Sequence, residues 1–132
     1  MDIVTDTSAV IAVILNEADK MVILQKTLGA ALYAPHSLPW EVGNALSSLL
    51  KRGKISLPQA TTALHQYRQM PLTLVEVDLV QAMAVAHTHN IYAYDAYMIA
   101  CAQGLQMPLL SLDKGLLHAA SAAGVSIIRV RP

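Results

Sequence analysis

Two rhythms of apolar and polar positions alternate along this chain. Short runs rich in β-branched and aliphatic residues, at 3–5, 31–34, 72–77, 109–112 and 126–130, predict strands. Longer stretches between them predict helices over about 8–15, 18–28, 37–52, 58–69, 79–88 and 114–123, with one more beginning at Asp95 and ending near Gly104. The clearest is 37–52, where Val42, Ala45, Leu46, Leu49 and Leu50 form a stripe at helical spacing. Ser37 is its expected N-cap, Pro39 sits in the first turn, and Gly53 stops it.

Strands that alternate with helices, with no repeat or linker between them, predict one α/β domain over 1–132. The expected architecture is a three-layer α/β/α fold around a central, mainly parallel sheet of four to five strands.

Composition sharpens this. At 132 residues the chain can bury roughly two thirds of its unfolded surface. Hydrophobic residues make up 55% and charged residues only 14%, against roughly 25% in an ordinary domain. So little polar material predicts an apolar surface patch, and with it a partner or a dimer. Nine basic residues balance nine acidic ones, which excludes the basic footprint of a strong nucleic-acid binder. A phosphate substrate would have to be drawn by local groups or by a bound cation.

The single cysteine, Cys101, excludes an internal disulfide and fits a reducing compartment. The opening MDIVTDTSAV has no basic n-region, and the longest apolar run, 9–15, is far short of a membrane span. The expectation is a cytoplasmic protein with no membrane segment.

The acids carry the chemistry. Asp6 follows IVT and Asp113 follows LLSL, each ahead of a helix, so both fall at the carboxyl end of a strand. That is the edge where open α/β sheets place their ligands. Asp95 begins a helix, and Glu41 lies in the first turn of 37–52, with Asn44 three residues on along the same side. Taken singly, the three aspartates read as ordinary N-caps and Glu41 as a helix-dipole partner. Asp2, Glu17, Asp19, Glu76 and Asp78 read as surface or edge positions. Should Asp6, Glu41, Asp95 and Asp113 meet at one sheet edge, their repulsion calls for protons or a hard divalent ion such as Mg²⁺ or Mn²⁺.

Four stretches, IVTDTSAVIAVIL, PWEVGNAL, YDAYMIACA and LLSLDKGL with a trailing AAGVSII, occur in this order over nearly the whole chain. In them the chain resembles the PIN-domain family, specifically the VapC-type toxins of bacterial toxin–antitoxin pairs. The resemblance implies that Asp6, Glu41, Asp95 and Asp113 bind Mg²⁺ or Mn²⁺ and are catalytic. Thr7 or Ser8 matches the hydroxyl residue that accompanies the first aspartate, and Asn44 a polar residue after the glutamate. LDKGLL lacks the second acid that some relatives carry after Asp113, which favours one tightly bound metal. The implied activity is endonucleolytic hydrolysis of RNA by metal-activated water, with Asp95 and Asp113 nearest that water. The resemblance also implies a homodimer, and an antitoxin segment seated in a groove lined by the early helices.

Other features carry less. Lys51, Arg52 and Lys54 form the one dense basic cluster, which reads as a solvated helix end before it reads as an RNA contact. His87 and His89, two apart, do not share a helical face, and no Cys/His spacing supports zinc. His36, His65 and His118 are isolated. Cys101 reads as a small buried hydrophobe, and Tyr92, Tyr94 and Tyr97 as packing or as rings for a base to stack on. Two competing readings are a PIN nuclease of RNA processing without an antitoxin and a receiver-like signalling module. The second fits poorly, because Asp6 is followed by Thr7 and Ser8 where a receiver needs adjacent acids.

Overall fold

The computed structural model describes residues 1–132. Strands β1 (Asp2–Thr5), β2 (Ala31–Pro35), β3 (Leu72–Val75), β4 (Leu109–Ser111) and β5 (Ile127–Arg129) form one sheet in the order β3-β2-β1-β4-β5. Every neighbouring pair is parallel. Around it lie α1 (Thr7–Ile14), α2 (Lys20–Lys26), α3 (Leu38–Lys51), α4 (Leu57–Gln69), α5 (Leu79–His89), α6 (Ala93–Leu105) and α7 (Lys114–Ala122). The expected α/β class, the strand count and the parallel sheet all hold.

Alternation along the inner strands separates the two faces. Val4 and Leu109 point into a core with Leu38, Val42, Leu46, Ala82, Met98 and Ile99, from α3, α5 and α6. Their neighbours Ile3 and Leu110 point the other way, against Ala9 and Ala12 of α1, Ile23 of α2 and Val130. Burying both faces is what lets short parallel strands persist, at about 1.5–3 kcal/mol for each large side chain taken from water.

Several ends differ from expectation for local reasons. β3 stops at Val75, opposite the end of its one partner strand at Pro35, and Asp78 then caps α5 by accepting from Val80 N and Gln81 N. Ser56 and Gln59 close a capping box, so α4 begins at Leu57. Gly53, at φ 67°, ends α3 as expected. Ser37 precedes α3 but makes no capping bond. α6 starts at Ala93 behind Tyr92, so Asp95 stands in the first turn and is not the cap.

The strand order places the site. From β1 the chain steps outward through β2 to β3, then crosses back to β4 and β5 on the other side of β1. β1 and β4 are therefore adjacent strands whose following segments diverge, the topological switch point of an open sheet. Asp6 leaves β1 and Asp113 follows β4 at that point.

Candidate active site

Asp6 is the buried member of the acidic group, only 4% exposed. As N-cap of α1 it accepts Ala9 N–H at 3.0 Å. Ser8 Oγ lies 2.8 Å from both of its oxygens, and Ser111 Oγ donates to Oδ2 at 2.6 Å. Ser8 Oγ in turn accepts Leu112 N–H at 3.0 Å.

Asp113 caps α7 by accepting Leu116 N–H at 3.1 Å, and its own N–H donates to Ser111 Oγ at 2.9 Å. A Cβ at Gly115 would stand 3.3 Å from Asp113 Oδ1, so glycine leaves this carboxylate its room. Glu41, in the first turn of α3, is gripped from two sides. Thr7 Oγ1 donates to Oε1 at 3.1 Å and Ser37 Oγ to Oε2 at 2.7 Å. Asp95 is half-buried and receives no hydrogen bond from the protein.

Burial and neighbouring charge act on three of the four. Burial pushes the Asp6 carboxyl above its ordinary value, against the pull of the Ser111, Ala9 and Ser8 donors, and Asp113 adds to the rise. Glu41 is raised by burial, opposed by Ser37 and Thr7, with Asp6 and Asp95 pushing it up. Asp95 is raised by burial and then by Asp113. The repulsions run Asp6 to Asp113, Asp113 to Asp95, Asp95 to Glu41, and Glu41 to Asp6. Four carboxylates from four separate segments thus share one electrostatic neighbourhood.

No three His, Cys, Asp or Glu side chains stand at direct metal-ligand spacing. The donor set is nevertheless all oxygen, anionic and disfavoured by its own repulsion. That chemistry suits a hard divalent ion, and Mg²⁺ in particular keeps several of its waters and uses few protein ligands.

The other predicted residues fall unevenly. Thr7 and Ser8 both serve the site, one on Glu41 and the other on Asp6. Asn44 is exposed, and its side chain bonds to none of these groups. The basic cluster is split. Arg52 lines a groove of roughly 330 Å³ with Thr7, Ser8 and Leu112. Lys54 instead lines a mixed cleft of roughly 500 Å³, with Ile14, Leu49 and Ile55 beside Asn16, Glu17 and Gln59. Lys51 lines neither, and all three are exposed. Cys101 is buried, as expected. Ser111 and the grip of Ser37 on Glu41 were not foreseen. The only trace of Ser111 in the sequence is a hydroxyl two residues before Asp113.

Comparison with known proteins decides the family. The profile of the PIN domain matches residues 3–122. The chain belongs to the PIN-domain family. Among curated relatives, ribonuclease VapC1 of Mycobacterium tuberculosis is 31% identical over 121 residues, covering 88% of this chain and 89% of that protein. VapC ribonuclease Mb0985 of Mycobacterium bovis is 28% identical over 111 residues, 84% and 85% of the two chains. Of solved PIN-like structures, PAE2754 from Pyrobaculum aerophilum superposes with a TM-score of 0.74 at 22% identity, covering 98% of this chain and 91% of that one. VapBC2 from Rickettsia felis, solved with a DNA fragment from its promoter, gives 0.68 at 9% identity, covering 98% of each chain. At such identities the structures speak for the fold, and the VapC-type resemblance rests on the curated relatives.

Proposed function

We propose that this PIN domain is a divalent-metal-dependent endoribonuclease, the toxin of a type II toxin–antitoxin pair, with Asp6, Glu41, Asp95 and Asp113 as its catalytic and metal-binding quartet. The observation that carries the reading is that Asp6 and Asp113 leave adjacent parallel strands at the β1/β4 switch point, joined through the Ser111 hydroxyl, with Glu41 tied to the same end of the sheet by Thr7, in a chain whose relatives are named ribonucleases. A bound Mg²⁺ or Mn²⁺ supplies the charge that draws phosphate and the acidity that activates water.

The protein's own groups have distinct tasks. Asp6 is locked by three donors and is the fixed reference of the site. Glu41, gripped by Thr7 and Ser37, is oriented from α3. Asp95 alone of the four receives no protein hydrogen bond, and its carboxyl is raised, so it is the one free to accept a proton from attacking water. Asp113, exposed at the rim, faces incoming substrate. Arg52, beside Thr7 and Ser8, is placed to meet a neighbouring phosphate.

The partners follow the same reading. The cleft between α1, α3 and α4, part apolar and part polar, suits an amphipathic segment of an antitoxin. In support, solved neighbours include VapBC2 and FitAcB from Neisseria gonorrhoeae. The exposed Val80 and Met83 of α5 offer apolar surface for a second copy. No helix is long and apolar enough to cross a membrane, and the cytoplasm is the proposed location.

The test is cleavage of defined RNAs with Mg²⁺, Mn²⁺ or EDTA, by wild type and Asp95→Asn. Cleavage should need either metal and stop in EDTA, and Asp95→Asn should lose about 100-fold or more. Undiminished cleavage in EDTA or by Asp95→Asn overturns the reading.

A further inference from the structure

We propose that the cleft beside Glu41, bounded by Ser37, Glu76 and Tyr97, is a nucleobase pocket that selects guanine next to the cleaved phosphodiester. The inference rests on the nuclease reading above and names the specificity it would carry.

The cleft holds roughly 550 Å³ and opens where β2 and β3 end. It shares a wall with the acidic site. Ser37 lines the cleft, and the same hydroxyl donates to Glu41 Oε2 at 2.7 Å. Tyr97 of α6 also lines the cleft, although, two residues on from Asp95, it stands on a different face of that helix, so the link to the acidic site runs through Ser37. A strand of RNA with a phosphate at the carboxylates therefore has its neighbouring nucleotide within reach of this cavity.

The lining suits a base and repels a phosphate. No lysine or arginine borders the cleft, Glu76 is negative, and the His36 imidazole lines it as well. The one salt bridge in the protein joins Arg131 to Asp19, so the Glu76 carboxylate has no ionic partner. Val77 and Leu79 supply apolar surface, and Leu79 is 62% exposed as it stands. The Tyr97 ring is braced edge-on by Tyr94, with centroids 6.0 Å apart and planes at 68°. Aromatic rings of this kind are the platforms on which unpaired bases stack.

Glu76 selects among bases by the donors it can accept. An ionised carboxylate is acceptor only, with two oxygens side by side. Guanine presents N1–H and N2–H₂ adjacent on its Watson–Crick edge, two donors for two acceptors. Adenine and cytosine offer one amino donor beside a ring-nitrogen acceptor, and uracil one N–H between two carbonyls. Each of these places a lone pair against the carboxylate.

The test maps cut sites in a randomised single-stranded RNA pool, then measures kcat/KM on one oligonucleotide carrying guanine or inosine at the selected position. Wild type should require guanine at one fixed position from the cut and lose about tenfold with inosine, which lacks the 2-amino donor. Glu76→Gln should cut inosine and guanine RNA nearly alike. Tyr97→Ala should raise KM, and Tyr97→Phe should restore it.

Asp95→Asn runs beside these as the control for the nuclease itself. Were it inert while wild type and Glu76→Gln shared one base preference, or had none, the pocket would be refuted and the nuclease reading would stand. A wild type that cuts no RNA, or an Asp95→Asn variant as active as wild type, would remove both. Unaltered base preference in Glu76→Gln, with weakened binding of an arginine-bearing peptide, would assign the cleft to a protein side chain and overturn the proposal.

Discussion

Ser111 and Asp6 lie 105 positions apart and meet through a hydrogen bond of 2.6 Å. One hydroxyl at the end of β4 thus ties the buried carboxylate of β1 to the cap of α7, since the same oxygen accepts Asp113 N–H. Ser111→Ala removes a donor that holds the Asp6 pKa down, so that carboxyl rises further. The expected results are a loss of about 1–3 kcal/mol of folding stability, from a buried carboxylate short of a donor, and an acid limb of the activity profile displaced to higher pH. Urea denaturation and a pH–rate profile measure the two. An acid limb left in place would show that Ser111 does not tune Asp6.

The raised carboxyls also set a pH dependence of folding. Asp6, Glu41 and Asp95 are all shifted upward by burial first and by neighbouring acids second. Between the ordinary carboxylate value and the raised one, the folded state therefore holds more protons than the unfolded chain. Metal-free stability should fall as pH rises across that window, and the loss is complete above it. Mg²⁺ at neutral pH should reverse it, by about 2.7 kcal/mol at a hundredfold excess over Kd. Thermal melts in EDTA and in Mg²⁺ across pH 4–8 test this. A Tm that ignores both pH and metal would mean that these carboxyls are not raised and hold no metal.

Much of this site could be read before the structure, and what could not has physical causes. Asp6 and Asp113 were legible because each follows an apolar run and precedes a helix, which puts it at a strand end whatever the rest of the fold does. Asp95 reads as the helix start because aspartate is a favoured N-cap and the tyrosines and alanine before it are not. The helix begins two residues earlier, with Tyr92 making no capping bond. Ser37 looked like a cap by its position before Pro39, yet its hydroxyl turns to Glu41, a contact that exists only once α3 is in place. Ser111 was invisible because a serine in LLSL reads as strand filler until β4 lies beside β1. The basic triplet looked like one patch, but the left-handed turn at Gly53 sends Lys54 to a different cleft from Arg52.

Cys101 gives a direct check on the α6 core. The residue is 3% exposed in the core it shares with Met98 and Ile99, and burial pushes its pKa up to about 11. A thiol so protonated and enclosed is a poor nucleophile. Native protein at neutral pH should therefore leave a chromogenic disulfide reagent unreacted for as long as it stays folded, and react with one equivalent in denaturant. Rapid labelling of the native protein would mean that α6, and with it Asp95, opens readily.

The divided basic cluster makes the last prediction, on binding instead of chemistry. Arg52 borders the groove shared with Thr7 and Ser8, whereas Lys51 borders no cavity. Thr7 and Ser8 of that groove bond Glu41 and Asp6, so in the proposed reading a phosphate next to the one at the acidic site comes within reach of Arg52. With Asp95→Asn as the background, so that RNA binds uncut, Arg52→Glu should weaken binding and lower the slope of log K against log salt by about one. Lys51→Glu, one position away on a solvated helix end, should leave that slope alone. Equal slopes in both variants would return Arg52 to the role of an ordinary charge favoured by the helix terminus, and would leave phosphate attraction to the metal alone.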